Sequence, residues 1–329
     1  MKINEQIDPQ LRIALTAHLE RFPGGLGTMR DPVERRVAHL ESLRAAASGM
    51  AENSNVTRED REVPRLSGGG AIQIRIYRPI NKTKILPAIF AIHGGGMFMG
   101  SIEADDAHAS TLCVDSGAVT IAIDYRLAPE FPYPAGLEDC FTVLNWIVDH
   151  SVELGIDAEK VAVYGESAGG NLALAIGLMA RDLGGPKIAF LAPIYPMLDD
   201  RSETPSSFEV VDVGVWDRHE QLEAWQWYLG DLSGSDEIPI YAAPARADDF
   251  SNLPPTFIDV GTIDLFRDEV ITLVGKIASS GVPVEFHLYP GAYHAAELFA
   301  PEAELSKLIW RNRILALRSS LFPTREEIK

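Results

Sequence analysis

The sequence predicts an α/β fold whose mostly parallel central sheet is covered by helices on both faces. Short apolar runs of strand length recur along the chain, and segments with the apolar period of a helix separate most of them. Strands that are almost continuously apolar are buried on both faces, as in parallel sheets joined by helices. The alternation is interrupted once, between about residues 196 and 250, which predicts an insertion outside the sheet.

The predicted elements follow one another in a regular order. The first 60 residues have a mostly helical pattern, with Asp31 and Pro32 as a helix start. Ile72–Tyr77 alternates apolar and polar residues, which predicts an edge or half-exposed strand. Nearly continuous apolar runs predict strands at Leu86–Ile92 and Val119–Ile123, and further strands are predicted at Val161–Tyr164, Ile188–Ala192, Thr256–Val260 and Val284–Leu288. Helices are predicted at about residues 104–116, 136–150, 168–182, 267–280 and 302–318.

Composition excludes several classes of partner. The formal charge of −18 arises from 47 acidic and 29 basic residues, and such a surface repels nucleic acids and anionic lipids. It weakly favours neutral or cationic substrates. No apolar run is long enough for a membrane helix, and the N-terminus lacks a signal-peptide core, so a cytoplasmic location is expected. Cys113 and Cys140 have no metal-binding spacing and are expected to be reduced and mostly buried.

Residues 165–169, Gly-Glu-Ser-Ala-Gly, have the pattern of a turn that carries a nucleophilic serine. They follow an apolar strand and precede a strongly helical segment, and this context makes the pattern specific. The turn is tight enough to strain the backbone of Ser167, and a Cβ on Gly165 or Gly169 would collide with the neighbouring turn. Ser167 is therefore the predicted nucleophile, and a glycine-rich turn without chemistry is the alternative.

A second motif, His93-Gly94-Gly95-Gly96, follows an apolar strand. Consecutive glycines leave backbone N–H groups open to a substrate oxygen, where each donor stabilises developing negative charge by about 3–4 kcal/mol. The predicted donors are the N–H groups of Gly95, Gly96 and Ala168, and His93 and Gly94 are expected to orient the loop. A phosphate-binding loop is the alternative, but the Lys-Ser/Thr and the glycine spacing of such loops are missing.

A serine nucleophile needs a base, and the base needs an acid that orients it. His294 follows the last strand after a short turn and so lies at the sheet edge where catalytic groups of α/β proteins gather. Asp264 is the first carboxylate beyond the preceding strand and is the predicted acid, with a helix N-cap as its alternative role. Asp268 and Glu269 lie a turn later, and Asp259, inside the strand, is a weaker rival.

These motifs together resemble the hormone-sensitive-lipase-like branch (family IV) of bacterial esterases with the α/β-hydrolase fold. The residues that carry the resemblance are HGGG at 93–96, YRLAPE at 125–130, the serine turn, the Asp264 segment and Tyr293-His294, over about residues 60–320. The resemblance implies a serine carboxylesterase that hydrolyses short- to medium-chain acyl esters through an acyl-enzyme. It also implies that no cofactor or metal is needed and that the protein is frequently a homodimer.

The resemblance further implies a cap and reveals three departures. The cap is expected to combine N-terminal helices (1–55) with the insertion (196–250), over a catalytic domain of residues 56–195 and 251–329. Glu166 precedes the serine where the family usually has Asp or Thr. Leu265 and Phe266 replace a usual Pro-Leu pair, and Ala295 replaces a common glycine after the histidine.

Apolar residues beside the glycine loop and in the insertion predict a substrate pocket. They are Met97 and Phe98, with Met99 beside them, and Phe208, Trp216 and Trp225, although packing between cap and core would explain them equally well. Two further functions remain open. One is a non-catalytic small-molecule binding protein on the same scaffold, and the other is an amidase, lactonase or deacetylase that uses the same triad.

Overall fold

The computed structural model describes residues 3–47, 53–66, 68–80 and 84–323. Within them, the strands are β1 (Val56–Pro64), β2 (Ala71–Pro79), β3 (Leu86–Ile92), β4 (Val119–Asp124), β5 (Ile156–Glu166), β6 (Phe190–Ile194), β7 (Thr256–Ile263) and β8 (Val284–Tyr293). They form one sheet in the order β1-β2-β4-β3-β5-β6-β7-β8. The β1/β2 and β2/β4 pairs are antiparallel and all the others are parallel.

Helices flank this sheet. They are α1 (Pro9–Arg21), α2 (Pro32–Ala47), α3 (Ile102–Ser116), α4 (Ala135–Asp149), α5 (Ser151–Leu154), α6 (Ala168–Leu183), α7 (Pro205–Glu209), α8 (Arg218–Leu229), α9 (Arg267–Ser279), α10 (Ala296–Phe299) and α11 (Glu304–Leu321). Short 3-10 turns span Ile3–Gln6, Leu26–Thr28, Gly230–Leu232 and Pro244–Arg246. Every residue of β3 is buried, as a central strand covered on both faces must be. The predicted fold class is confirmed.

The predicted helical pattern to residue 60 is wrong at its end, because β1 begins at Val56. The β1 sequence, VTREDREVP, is highly charged, so its apolar periodicity does not indicate a strand. β1 lies at the sheet edge, where charged side chains discourage pairing with a second chain. Its Asp60 accepts a hydrogen bond from Arg75 Nε of β2 at 2.6 Å, a cross-strand ion pair.

The segment from 196 to 250 contributes two helices, α7 and α8, and none of its residues belongs to a strand of the sheet. Cys113 and Cys140 are free and buried, as predicted. Among the residues that the structure describes, no helix is long and apolar enough to cross a membrane. The carboxyl ends of β5, β7 and β8 lie along one edge of the sheet, and the predicted catalytic residues follow these three ends.

Candidate active site

Ser167 occupies the turn between the end of β5 and the start of α6. Its backbone has φ 55° and ψ −112°, a strained conformation for a residue with a side chain. A Cβ on Gly165 would lie 2.0 Å from the carbonyl oxygen of Gly169, and one on Gly169 would lie 2.0 Å from that of Ile92. Glycine is therefore required on both sides of the serine, as the sequence predicts.

The structure brings Ser167, His294 and Asp264 together. His294 directly follows β8, and its Nε2 lies 3.0 Å from Ser167 Oγ. His294 Nδ1 lies 2.8 Å from Asp264 Oδ2, just beyond the end of β7. Asp264 Oδ1 also accepts the N–H of Phe266 at 2.9 Å, so both carboxylate oxygens are fixed. All three side chains are buried.

Aromatic rings hold the imidazole of His294 in this position. Tyr195 and Phe266 meet it edge-on, with ring centroids 4.9 Å and 5.0 Å away, and Trp216 lies at 6.2 Å. Such edge contacts restrict rotation of the ring as well as shield it from water. Tyr195 and Phe266 were not singled out in the sequence, although Phe266 is one of the residues that depart from the family pattern.

The rival carboxylates have other partners. Asp268 accepts hydrogen bonds from Arg267 Nε at 2.7 Å and from the N–H of Ser206 at 2.8 Å. Glu269 accepts the N–H of Leu198 at 2.7 Å. Asp259 is held by an arginine of α11. Asp264 is thus the carboxylate that the structure places against His294.

The glycine loop lies beside this serine. Gly95 and Gly96 have φ values of 110° and 60°, which side chains rarely adopt. Among the described residues, the backbone N–H groups of Gly95, Gly96 and Ala168 donate to no other protein group. Ala168 also begins α6, so the positive end of the helix dipole faces the same region.

The His93 ring supports this loop. Its Nδ1 lies 2.8 Å from the carbonyl oxygen of Gly94, and the ring stacks on Tyr125 with centroids 4.3 Å apart. The Tyr125 hydroxyl donates back to the His93 carbonyl at 3.1 Å. Burial lowers the pKa of His93 to about 4, so its ring is neutral at physiological pH. These contacts agree with an orienting role for His93.

Comparison with known proteins identifies the family. Residues 89–298 match the family model described as the alpha/beta hydrolase fold, and this span contains the glycine loop, Ser167, Asp264 and His294. The chain belongs to the alpha/beta hydrolases. Among curated relatives, carboxylesterase NlhH of Mycobacterium tuberculosis is 35% identical over 297 residues, covering 89% of this chain and 90% of the relative.

Other similar proteins carry related names. Esterase LipI of Mycobacterium tuberculosis is 37% identical over 220 residues, covering 66% of this chain and 68% of LipI. A solved bacterial heroin esterase superposes with a TM-score of 0.90 at 34% identity and covers 96% of this chain and 98% of the other. The resemblance to hormone-sensitive-lipase-like esterases is confirmed.

Glu166, which departs from the family pattern, belongs to a buried charge cluster behind the serine of this hydrolase. It accepts a hydrogen bond from the Tyr164 hydroxyl at 2.7 Å, lies 3.0 Å from His108 Nε2 and is 3.9 Å from an Arg313 nitrogen. Burial opposes its ionisation, but His108 and Arg313 together lower the Glu166 pKa to about 2. Although burial also opposes a charge on His108, Glu166 raises the His108 pKa to about 9.

Arg313 of α11 is the centre of this cluster. Its Nε and one terminal nitrogen bind the two Asp259 oxygens at 2.7 Å and 3.1 Å, and the other terminal nitrogen binds Glu297 at 2.6 Å. Glu297 also accepts the Tyr195 hydroxyl at 2.8 Å, which links the cluster to the ring that packs on His294. The cluster therefore reaches the catalytic cavity through Glu166 and Tyr195, which both line it.

A largely apolar cavity lies over Ser167 and His294. Elements on both sides of the glycine loop line it. They are His18, Leu26, His39 and Leu43 from the N-terminal segment, Val215, Trp216 and Glu220 from the 196–250 segment, and Ser101, Ala104 and Asp105 at the start of α3. Gly94, Gly95 and Met99 of the hydrolase glycine loop also reach the cavity.

The structure corrects most of the predicted pocket. Trp216 lines the cavity, but Met97, Phe98 and Trp225 are buried away from its surface. The Phe98 ring packs against α8, where it meets Trp227 edge-on at 4.7 Å. Met97 and Phe98 are predicted from their position beside the glycine loop and Trp225 from its position in the 196–250 segment, but neither position reveals on which side a side chain packs.

Phe208 is also not part of the cavity lining. It is 58% exposed on α7, and the Arg218 guanidinium lies 4.0 Å from its ring centroid. That stacking accounts for an exposed aromatic ring without a substrate. Two further lining residues, His18 on α1 and His39 on α2, were not predicted from the sequence. Both lie in segments whose pattern indicates only a helix.

Proposed function

We propose that this alpha/beta hydrolase is a serine carboxylesterase in which Ser167, His294 and Asp264 form the catalytic triad. The observation that carries the proposal is the pair of contacts at His294, 3.0 Å to Ser167 Oγ and 2.8 Å to Asp264 Oδ2. Similarity to proteins named carboxylesterase and esterase supports an ester as the substrate.

The hydrogen-bond roles in the triad follow from the chemistry of the groups. A carboxylate only accepts hydrogen bonds, so the proton between Asp264 and His294 belongs to His294 Nδ1. His294 Nε2 then presents a lone pair to the Ser167 hydroxyl and takes its proton as Oγ attacks the ester carbonyl. The imidazolium, held by Asp264, returns that proton to the leaving alcohol.

The free amides of Gly95, Gly96 and Ala168 are proposed as the oxyanion hole. Negative charge develops on the carbonyl oxygen during attack, and fixed N–H donors stabilise it without reorganising. The amides need no conformational change to become available, because no protein group among the described residues occupies them. Water then repeats the same steps on the acyl-enzyme and releases the acid.

We propose that the cap consists of the N-terminal helices and the 196–250 segment, since both supply walls of the cavity. The remaining body, residues 56–195 and 251–329, would then be the catalytic domain. A homodimer, which the family resemblance implies, and a cytoplasmic location both stay predictions.

The proposed function predicts that a fluorophosphonate probe labels the purified protein on Ser167 and abolishes ester hydrolysis in parallel. The activated hydroxyl attacks phosphorus as it would attack the ester carbonyl. Peptide mass mapping locates the label, and a panel of esters, lactones and aryl amides measures the activity. A protein that binds these compounds without labelling or turnover would contradict the proposal and favour a binding protein instead.

The resemblance to hormone-sensitive-lipase-like esterases predicts a preference for short to medium acyl chains. The largely apolar lining of the cavity over Ser167 suits such chains. With 4-nitrophenyl esters, we expect kcat/KM to be highest within about C2 to C8 and to fall for longer chains. A series in which kcat/KM rises steadily to long-chain triglyceride emulsions would contradict this preference.

A further inference from the structure

The charges around the catalytic cavity are unbalanced. Of the described residues that line it, three have carboxyl side chains, namely Asp105, Glu166 and Glu220, and none is a lysine or arginine. The whole chain has a formal charge of −18, which adds a long-range attraction for cations.

Two of these carboxyl groups are already occupied by protein contacts. Glu166 is neutralised by His108 at 3.0 Å and by Arg313. Glu220 accepts the N–H of Asp217 at 3.1 Å as part of a helix cap, and burial raises its pKa to about 8, so it is mostly uncharged at neutral pH.

Asp105 differs from both. It lies in the first turn of α3 and is partly buried, and no described residue makes a hydrogen bond or ion pair with its carboxylate. Asp105 also lines a second cavity, which shares Leu43, Ala104 and Leu298 with the catalytic one. Asp105 therefore lies where the two cavities meet.

The second cavity offers further groups that suit a cation. The ring of Trp310 lines it and meets the His108 ring edge-on at 5.0 Å, and aromatic faces attract cations. The cationic groups that line it already have other partners: Lys307 is paired with Glu302 and Glu304 at 3.3 Å and 3.4 Å, and the protonated His108 is paired with Glu166 at 3.0 Å.

A buried acceptor in the catalytic cavity supports the same conclusion. His93 is 6% exposed and lines the cavity, and its Nε2 has no hydrogen-bond partner among the described residues. Because Nδ1 donates to the Gly94 carbonyl, Nε2 carries a lone pair and can only accept. A buried acceptor without a partner costs about 1–3 kcal/mol, which the N–H of a protonated amine substrate would recover, whereas a quaternary nitrogen has no such donor.

We propose that the site prefers esters whose acyl or alcohol part carries a cationic nitrogen, which binds Asp105 at the junction of the two cavities. The inference rests on the proposed esterase activity and names its substrate class. Asp105 is a binding residue in this scheme and takes no part in bond breaking, which Ser167 and His294 perform.

The test compares two acetate esters that differ in charge but hardly in shape. Choline acetate carries a quaternary nitrogen, and 3,3-dimethylbutyl acetate has a carbon atom in its place. Burial and the nearby Glu166 and Asp106 raise the Asp105 pKa to about 7, against the opposing charge of His108. The released acid is therefore titrated at pH 7.5, where most of Asp105 is ionised and most of Glu220, whose pKa is about 8, is not.

We expect the wild-type kcat/KM to be about tenfold higher for the cationic ester, the effect of one charge-assisted contact. Asp105→Asn should bring the ratio of kcat/KM for the two esters to about one. The matched control is Glu103→Gln, which removes the same charge from the same helix at a side chain 51% exposed. This control should keep the wild-type ratio.

The possible results separate the two proposals. A wild-type ratio at or below one, or a ratio that Asp105→Asn leaves unchanged, overturns the cation site while the esterase assignment stands. A merely structural role of Asp105 would lower kcat/KM for both esters equally, which also overturns it. Loss of all ester hydrolysis and of Ser167 labelling in the wild-type protein would instead contradict the proposed function itself.

Discussion

Replacing Ser167 by alanine is expected to lower kcat for short acyl esters by about a million-fold. The alanine variant keeps the oxyanion donors but has no oxygen to attack the carbonyl, and His294 loses the group whose proton it would accept. Because the triad acts as a unit, kcat should fall as far in Ser167→Ala as in a variant that lacks both the Ser167 and His294 side chains. Stopped or long-term assays with 4-nitrophenyl acetate measure the remaining kcat and compare it with the rate of hydrolysis in buffer alone.

Two controls distinguish loss of the nucleophile from loss of the fold. Ser116→Ala removes another buried hydroxyl, which bonds only to backbone groups at the end of α3, and should leave kcat unchanged. Circular dichroism should show that both variants are folded, because no charge or large volume is removed. Near-wild-type turnover by a folded Ser167→Ala protein would refute the triad assignment.

The sequence was most informative where local pattern and chain order agree. Parallel strands have an apolar signature, and the groups that follow their carboxyl ends must meet at one edge of the sheet. This geometry is why Asp264 and His294, 30 residues apart, were predicted beside Ser167. β1 was missed because its charged sequence has no apolar period, and its strand character comes from pairing with β2.

The charge cluster could not be predicted from the sequence. Asp259 in an apolar strand was an isolated signal of a buried carboxylate, but its partner Arg313 lies 54 residues away in a helix with many charges. No local rule selects one arginine of such a helix as the buried one. The role of Glu166 depends on the same long-range packing, since it needs both Arg313 and His108.

Replacing Arg313 by methionine is expected to lower the free energy of unfolding by about 3–5 kcal/mol. Arg313 is 2% exposed and binds Asp259 and Glu297 directly, with Glu166 at 3.9 Å. Its removal leaves these carboxylates buried without their counter-charge, a larger penalty than the pair itself contributes. Urea unfolding followed by fluorescence measures the change, and Arg311→Met, an exposed position on the same helix, should change it little.

The dependence on pH distinguishes a charge effect from a packing effect. Burial already raises the Asp259 pKa to about 6 against the effect of Arg313, whereas an unfolded aspartate has a pKa of about 3.9. Losing the arginine raises the Asp259 pKa of the folded protein further. As the pH falls, the folded variant therefore takes up a proton on Asp259, and the buried charge disappears. The deficit of Arg313→Met should therefore be larger at pH 8 than at pH 5, and adding Asp259→Asn should recover part of it at pH 8. A deficit that is equal at both pH values and insensitive to Asp259→Asn would mean that Arg313 acts by filling space, and not by balancing the charges behind the catalytic serine.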